Sequence, residues 1–496
     1  MTPSGEGLAV TVLAQQFDPF RDHISLMHGW IPLTVQVLAA AAVLLAIGWR
    51  TRWWRTTAVP VAAASGLVLA FVIHWVIADY GLSGEPAPIR LWVWIALGGF
   101  AAVVAVVGWR SAQWWRRVIA VSAVPLCALS AGLMLNLWVG YYPTVQTAWG
   151  QLTGGPLTGQ TDRATVEKML ADGEVPESGR VVPVDIPATV SHFAHRRELV
   201  YLPPAYFSSN PPPVLPTVMM IGGQFNTPAD WIRTAHAVET IDEFAARHGG
   251  NAPVFVFADS GGAFNKVTEC VNGTRGNAGD YLTKDIVPYM VSNFGVSDDP
   301  ANWGIVGWSS GGTCAVNLTV KYPELFSAFV NIDGDFAPNL GTRQQTIERL
   351  FGGDAAAYAQ WDPATVIAEH GRYDQVAGWF AVAVPPGTSE RPTAGPALPD
   401  PAPGATPTTP SAAADALCKL GSKHGIECAV VPEVGKHDWP FAARVFRSSL
   451  PWLAGRLGTP GVPAIPLPGT SGEGGNSAPV ETGAQLRPAP PGTGGR

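Results

Sequence analysis

Four runs without a charged residue, 29–49, 56–78, 91–109 and 118–139, fill most of the first 140 positions. Each is long enough to cross about 30 Å of hydrocarbon as a helix rising 1.5 Å per residue. Soluble helices bury one stripe and leave the other face polar; these runs are apolar all round, so they read as membrane spans. The loop after the first run holds Arg50, Arg52 and Arg55, and the loop after the third holds Arg110, Arg116 and Arg117. Cytoplasmic loops collect Arg and Lys, so these two loops are expected inside the cell. The N-terminal segment, the middle loop with Asp79, Glu85 and Arg90, and everything after residue 139 are then expected outside. No basic n-region and small-residue cleavage site open the chain, so no cleavable signal peptide is expected. The two inner loops, Gly48-Trp49-Arg50 to Arg55 and Gly108-Trp109-Arg110 to Arg117, repeat a Gly-Trp-Arg…Trp-Trp-Arg pattern that reads as a duplicated helical hairpin.

The pattern changes after residue 178. Short β-rich runs at 180–186, 199–202, 214–222, 254–258, 303–308, 328–332, 378–384 and 427–432 alternate with helical stretches at 231–248, 277–294, 311–322, 342–350, 412–423 and 438–457. Several strands are continuously apolar, as strands buried on both faces are. This alternation predicts a mostly parallel central sheet with helices on both faces. The expected organisation is therefore an outer segment 1–28, a four-span block 29–140, a linker 141–178 with one short helix at 164–171, and an α/β domain 179–457. Within the α/β domain, 392–410 is rich in Pro, Ala and Thr and reads as an insertion loop. The tail 458–496 is rich in Pro, Gly and Ser, and is expected not to order itself because it has too little apolar surface to bury.

Composition narrows the function. Only 14% of the 496 residues are charged, against about 25% in ordinary soluble proteins. The net charge of −7 gives no footing for nucleic-acid binding. Five cysteines are present: Cys127 falls in the fourth run, Cys418 and Cys428 flank a helix-to-strand turn, and Cys270 and Cys314 remain. Bridges between the last two pairs suit an outer compartment, but spacing does not decide connectivity. No metal-site spacing or phosphate-cradling loop appears, so no metal, nucleotide or flavin cofactor is expected.

The most specific motif is Gly307-Trp308-Ser309-Ser310-Gly311-Gly312, a G-x-S-x-G placed between a predicted strand and a predicted helix. A nucleophilic serine on a sharp strand-to-helix turn needs glycines on either side, because neighbouring backbone passes close by. Ser309 is the expected nucleophile. His437, in Gly435-Lys436-His437-Asp438-Trp439 after the last predicted strand, is the expected base, since this fold orders its triad Ser, acid, His. The acid is open: Glu390, after the seventh strand, is the first candidate, and Asp333 and Asp335, after the sixth, are the alternatives. Gln224, in Gly222-Gly223-Gln224-Phe225, and Ser310 are the expected backbone donors of an oxyanion hole. Phe225, Trp308 and Trp439 are expected to contact substrate.

At these residues the chain resembles the antigen 85-like and esterase D-like branch of the α/β-hydrolases, over about 180–458. Gly307–Gly312 is similar to that family's nucleophile elbow, which implies Ser309 as nucleophile. The stretch from Trp379 to Gly387-Thr388-Ser389-Glu390 resembles the antigen 85 segment ending in its catalytic Glu, which implies Glu390 as the acid. Gly435–Trp439 is similar to the antigen 85 Gly-Thr-His-Ser-Trp, which implies His437 as base and places Trp439 at the pocket rim. Gly222-Gly223-Gln224-Phe225 departs from the antigen 85 Asp-Gly-Leu-Arg, so its sugar-contacting acid and base are missing here. Secreted antigen 85 proteins also lack the four-span block. The layout resembles membrane-tethered actinobacterial esterases.

These readings together predict a membrane-anchored serine esterase or acyltransferase acting on lipid or acylated-glycan esters at the outer face. The alternative is an α/β-hydrolase-fold scaffold of the envelope without activity. A transporter would need charged groups in its spans, and only His74 is ionisable there. Sequence names no protein partner.

Overall fold

The computed structural model describes residues 24–48, 50–79, 87–263, 265–388, 392–394, 407 and 409–470. The four apolar runs form helices α1 (Trp30–Ile47), α2 (Val59–Asp79), α3 (Ile89–Gly108) and α4 (Trp114–Val139). A π turn, Trp54–Ala58, leads into α2. With these adjoining turns included, all four are long and apolar enough to cross a membrane. Their mutual core is small-residue rich, with Ala39, Ala42, Ala46, Ala62, Ala101, Ala120 and Ala123 buried. Small residues let backbones approach closely where no hydrophobic force separates helix from lipid. Leu33, Leu44, Leu67, Phe71, Trp75 and Val106 point outward from the bundle. The two repeated loops interlock: Arg50 Nη1 donates to the Gly108 carbonyl at 3.0 Å, while the Arg116 guanidinium packs against Gly48. Each hairpin thus lends an arginine to the negative C-terminal end of the other's helix. His74 makes an edge contact with Trp92, at 4.9 Å between ring centres.

The segment after α4 is not a loose tether. It contains two helices, α5 (Val145–Thr153) and α6 (Arg163–Asp172), where the linker pattern predicts one. Thr144 and Asp162 cap them by accepting from the N–H groups of Thr147 and Thr165, the backbone donors a helix start leaves free. Ser25 pairs with Thr144, so the start of the described chain is fastened beside the exit from α4.

A nine-stranded sheet forms the core of the α/β domain. Its strands are β1 (Arg180–Val184), β2 (Glu198–Leu202), β3 (Thr217–Ile221), β4 (Val254–Ala258), β7 (Trp303–Trp308), β8 (Ala328–Ile332), β9 (Ala377–Val384), β10 (Thr393–Ala394) and β11 (Glu427–Val434). The spatial order is β1-β2-β4-β3-β7-β8-β9-β11-β10, parallel from β4 to β11 and antiparallel at both edges. The predicted α/β-hydrolase architecture is borne out. A separate two-residue ladder joins β5 (Asn272–Gly273) to β6 (Gly276–Asn277).

Alternate residues of the central strands feed two cores. Met219, Ile221, Trp303 and Ile305 face one side, with Cys314, Val316 and Leu318 packed over them. Val218, Met220, Val306 and Trp308 face the other, under Trp231, Ile241, Phe446 and Leu453. The predicted helix over 231–248 is two pieces, α7 (Asp230–Arg233) and α8 (Ala237–Arg247), because His236 takes φ 52° between them. Tail residues were expected to lack order from 458 onward; the stretch up to Thr470 instead packs on the domain, with Leu467 buried in the second core. Most of the insertion loop and all of 471–496 lie outside the described residues.

Candidate active site

Strand β7 is buried along its whole length and delivers Ser309 at its C-terminal end. Ser309 holds φ 58° and ψ −126°, a strained conformation for a side-chain-bearing residue. Its N–H donates to Ile332 O at 2.9 Å, and its carbonyl accepts from Gly312 N at 2.8 Å. The glycines of the motif have a steric cause. A side chain at Gly307 would strike the Gly311 carbonyl, and one at Gly311 would strike the carbonyls of Ile221 and Gly222. Ser309 is also the N-cap of the helix Ser310–Lys321, so the N–H of Ser310 belongs to the first helical turn and has no intrahelical acceptor.

His437 lies in the loop between β11 and the helix Trp439–Arg456. Gly435 N bonds to Val384 O at 3.0 Å, and Asp438 caps the helix through Phe441 N at 2.9 Å, so the loop is held at both ends. The imidazole Nε2 is 2.9 Å from Ser309 Oγ, and Nδ1 is 2.7 Å from Asp333 Oδ2. With the carboxylate as acceptor, Nδ1 carries the hydrogen and Nε2 is free to accept from the serine hydroxyl. Asp333 follows β8 with φ 54°, donates its own N–H to Ala381 O at 2.8 Å, and accepts from Ala383 N at 3.1 Å through Oδ1. Two strands therefore aim this carboxylate.

Of the acids the sequence leaves open, Asp333 occupies the Nδ1 side of the imidazole, and Glu390, the first choice, lies outside the described residues. Asp335 accepts from Asn339 Nδ2 at 3.2 Å, and burial pushes its carboxyl above the usual range. The rim position expected for Trp439 needs correction. Trp439 is fully buried: its place at the start of a helix capped by Asp438 turns it inward, between Trp231 and Trp308. Trp308 is buried too, and stacks on the His437 ring at 5.4 Å. Both indoles thus form the wall behind the imidazole.

The loop after β3 lies against the elbow. A Cβ on Gly223 would stand 3.0 Å from Ser309 Cβ and 3.2 Å from Trp308 O, so the loop packs tightly on the elbow. Gln224 and the half-buried Phe225, with φ 66°, form the crest of a turn closed by Asn226 N to Gly223 O at 3.2 Å. Three residues that the sequence reading passed over brace this turn. Asp259, buried at the end of β4, takes Arg196 through both oxygens at 2.6 and 3.2 Å, and Arg196 Nη2 donates to Asn226 O at 2.7 Å. Asp230 accepts from Thr227 N at 2.6 Å. The available signal was a carboxylate directly after an apolar strand, where burial demands a partner.

Behind the site, Glu269 is buried with Oε2 unpaired, and burial next to Asp335 holds its carboxyl well above the ordinary range. Disulfides join Cys270 to Cys314 and Cys418 to Cys428, and the first ties the loop carrying Glu269 to the helix that follows Ser309. Among the described residues, no group of three or more His, Cys, Asp or Glu is placed to hold a metal ion.

Residues 194–451 match the model of the family described as "Putative esterase", just over half of the chain. The chain belongs to that family. The esterase is therefore a carboxylic ester hydrolase of the α/β-hydrolase fold. An uncharacterized protein of Corynebacterium glutamicum is 27% identical to it over 340 residues, 68% of this chain and 78% of that one. Among solved structures, it is similar to a ferulic acid esterase at 16% identity and TM-score 0.44, covering 56% of this chain and 99% of that one. An S-formylglutathione hydrolase from Agrobacterium tumefaciens gives 17%, TM-score 0.44, and coverage of 57% and 97%. Mycobacterium tuberculosis MPT51 gives 17%, TM-score 0.36, and coverage of 55% and 97%.

Proposed function

We propose that the esterase is a membrane-anchored serine hydrolase or acyltransferase working at the outer face of the cytoplasmic membrane through Ser309, His437 and Asp333. The observation that carries this reading is the unbroken relay from Ser309 Oγ to His437 Nε2 and from Nδ1 to Asp333, at 2.9 and 2.7 Å. His437 takes the Ser309 proton as Oγ attacks an ester carbonyl, and Asp333 stabilises the imidazolium that forms. The N–H groups of Ser310 and Gln224 receive the oxyanion; such a donor is worth about 100- to 1000-fold in rate. His437 then returns the proton to the leaving alcohol, an acyl-Ser309 ester remains, and water or a second hydroxyl resolves it.

The substrate is a lipid ester or acylated glycan reached from the bilayer surface. In support, a side chain at Gly140, the residue ending α4, would stand 2.5 Å from Pro440 and 3.4 Å from Asp438, next to the catalytic histidine. The outward orientation is supported by the arginine-rich loops at the other end of the bundle and by two disulfides in the esterase domain.

The test combines a fluorophosphonate probe with a panel of acyl esters of rising chain length, with and without sugar acceptors. Covalent labelling and turnover should both vanish in Ser309→Ala. Absence of labelling in the folded parent protein would instead favour a scaffold without activity.

A further inference from the structure

Helix α5 starts close to the end of α4 and is fastened there. Asn136, in the last turn of α4, bonds to Tyr142: its Nδ2 donates to Tyr142 O at 2.8 Å, and its Oδ1 accepts from Tyr142 N at 2.6 Å. The chain therefore folds over the end of α4 instead of running straight away from it. Leu26 N donates to Pro143 O and Val145 N to Ile24 O, both at 3.0 Å, which joins the start of α5 to the segment leading into α1. Val145 comes three residues after Tyr142, and at 3.6 Å per residue at most it lies within about 11 Å of it. No charged residue occurs between Arg117 and Asp162, so α5 carries no charge that would resist entry into a lipid headgroup layer.

The two faces of α5 differ. On one, Gln151 Nε2 donates to Asp230 Oδ1 at 3.0 Å, and Gln151 Oε1 accepts from Arg233 Nη1 at 3.0 Å. Arg233 also donates to the Gly155 carbonyl just beyond the helix. Asp230 Oδ2 accepts from Thr227 N at 2.6 Å, next to the turn that holds Gln224. This face is thus clamped to α7 of the esterase domain. On the other face, Val145, Trp149 and Leu152 are spaced four and three apart, which puts them on one stripe. They are 38, 67 and 78% exposed. Scattered exposed apolar side chains are ordinary; an uncovered stripe of three marks a contact surface. Tryptophan is the residue that anchors at headgroup level, and Trp30, at the start of α1 on the same end of the bundle, is 69% exposed as well.

We propose that α5 is an interfacial foot, with Val145, Trp149 and Leu152 seated in the lipid surface on the esterase side of the membrane. This rests on reading α1–α4 as membrane spans, and it holds whether or not the domain is active. The helix lies along the bilayer surface with its apolar face about 5–10 Å into the headgroup–acyl boundary. Continuity of the stripe with the ends of α1 and α4 selects lipid over a second copy of the chain as its partner. Through Gln151 and Asp230 the foot holds the loop beside Ser309 at a fixed height above the lipid, which suits an ester drawn from that leaflet.

The test uses the full chain in nanodiscs with a nitroxide attached at Trp149→Cys or, separately, Leu152→Cys. Cys127 is buried and the other four cysteines are paired, so the label goes to the introduced thiol. Power saturation of the spin signal compares collisions with oxygen, which partitions into lipid, and with a water-soluble nickel chelate. Phe71→Cys, on the outward face of α2, gives the lipid reference. Val214→Cys, exposed before β3 at the end of the sheet opposite Ser309, gives the water reference. Both α5 labels should show an oxygen-to-nickel ratio severalfold above Val214→Cys and below Phe71→Cys. A water-like ratio at either α5 position overturns the proposal. So does shielding from both reagents with spin–spin broadening, which would give the stripe to a second copy of the chain. A water-like ratio at Phe71→Cys sinks the spans themselves, whereas a lipid-like Phe71→Cys beside water-like α5 labels sinks only the foot.

Discussion

Ser309 occupies a backbone region that costs of order 1–3 kcal/mol, and the surrounding contacts hold it there. Gly311 is the residue that makes the bend sterically open, because the carbonyls of Ile221 and Gly222 fill the space a methyl would need. Gly311→Ala should therefore displace the elbow and lower kcat/KM by about 100-fold or more, the scale of an ångström-sized misplacement. Retention of near-parent kcat/KM would show that the crossing strand yields. The identity of the acid is decided at the same scale. Asp333→Asn should cost about 10,000-fold in kcat, the size of effect known for a wrong imidazole tautomer. Glu390→Gln should be near neutral by the same assay. The reverse order would return the role to Glu390. Nothing local in the sequence separates these two carboxylates, since each follows a buried strand. What distinguishes Asp333 is its positive φ and its bond to Ala383 N, both consequences of how β8 and β9 pair.

Strands and helices were legible because their periods differ, and the eight long runs read as β emerge as the eight long strands of the sheet. The break between α7 and α8 was not legible. Residues 231–248 have a continuous helical pattern, but Asp230 and Trp231 are drawn to partners elsewhere in the fold, and His236 absorbs the turn. The disulfides act between elements. Cys270–Cys314 closes a separation of 44 residues and Cys418–Cys428 one of 10. Loop-closure entropy then assigns them about 4 and about 3 kcal/mol. Replacing both members of the longer pair with serine should lower the thermal midpoint more than replacing the shorter pair. Equal or inverted shifts, read by calorimetry, would mean that local packing outweighs chain entropy.

Over the whole molecule, buried acids make stability depend on pH. Glu198 is fully buried; His195 Nδ1 lies 3.1 Å away but bonds to Arg196 O, and burial pushes the Glu198 carboxyl up to about 7. Its unfolded value is near 4.5. Between those values the folded chain keeps a proton that the unfolded chain releases, so stability falls as pH rises through this window. The loss is complete above the folded value and amounts to about 3 kcal/mol at most. Glu198→Gln should flatten the decline of the thermal midpoint between pH 5 and pH 8 relative to the parent; parallel curves would exclude Glu198 as a source. Membrane orientation is also a whole-molecule property. Protease added to intact spheroplasts should digest the esterase domain, and protection of that domain would invert the proposed topology.

Sequence alone determined the four apolar helices, the strand–helix alternation and the serine elbow, because each depends on residues within one or two turns of each other. Tertiary structure decided which carboxylate meets His437, that Trp439 is buried behind the imidazole, and that the end of the fourth apolar helix abuts the site. Those contacts join residues about 100 or more positions apart, such as His437 with Asp333 or Gly140 with Pro440. Periodicity and spacing report what neighbours along the chain require. Only strand order and loop docking bring distant groups within hydrogen-bonding range.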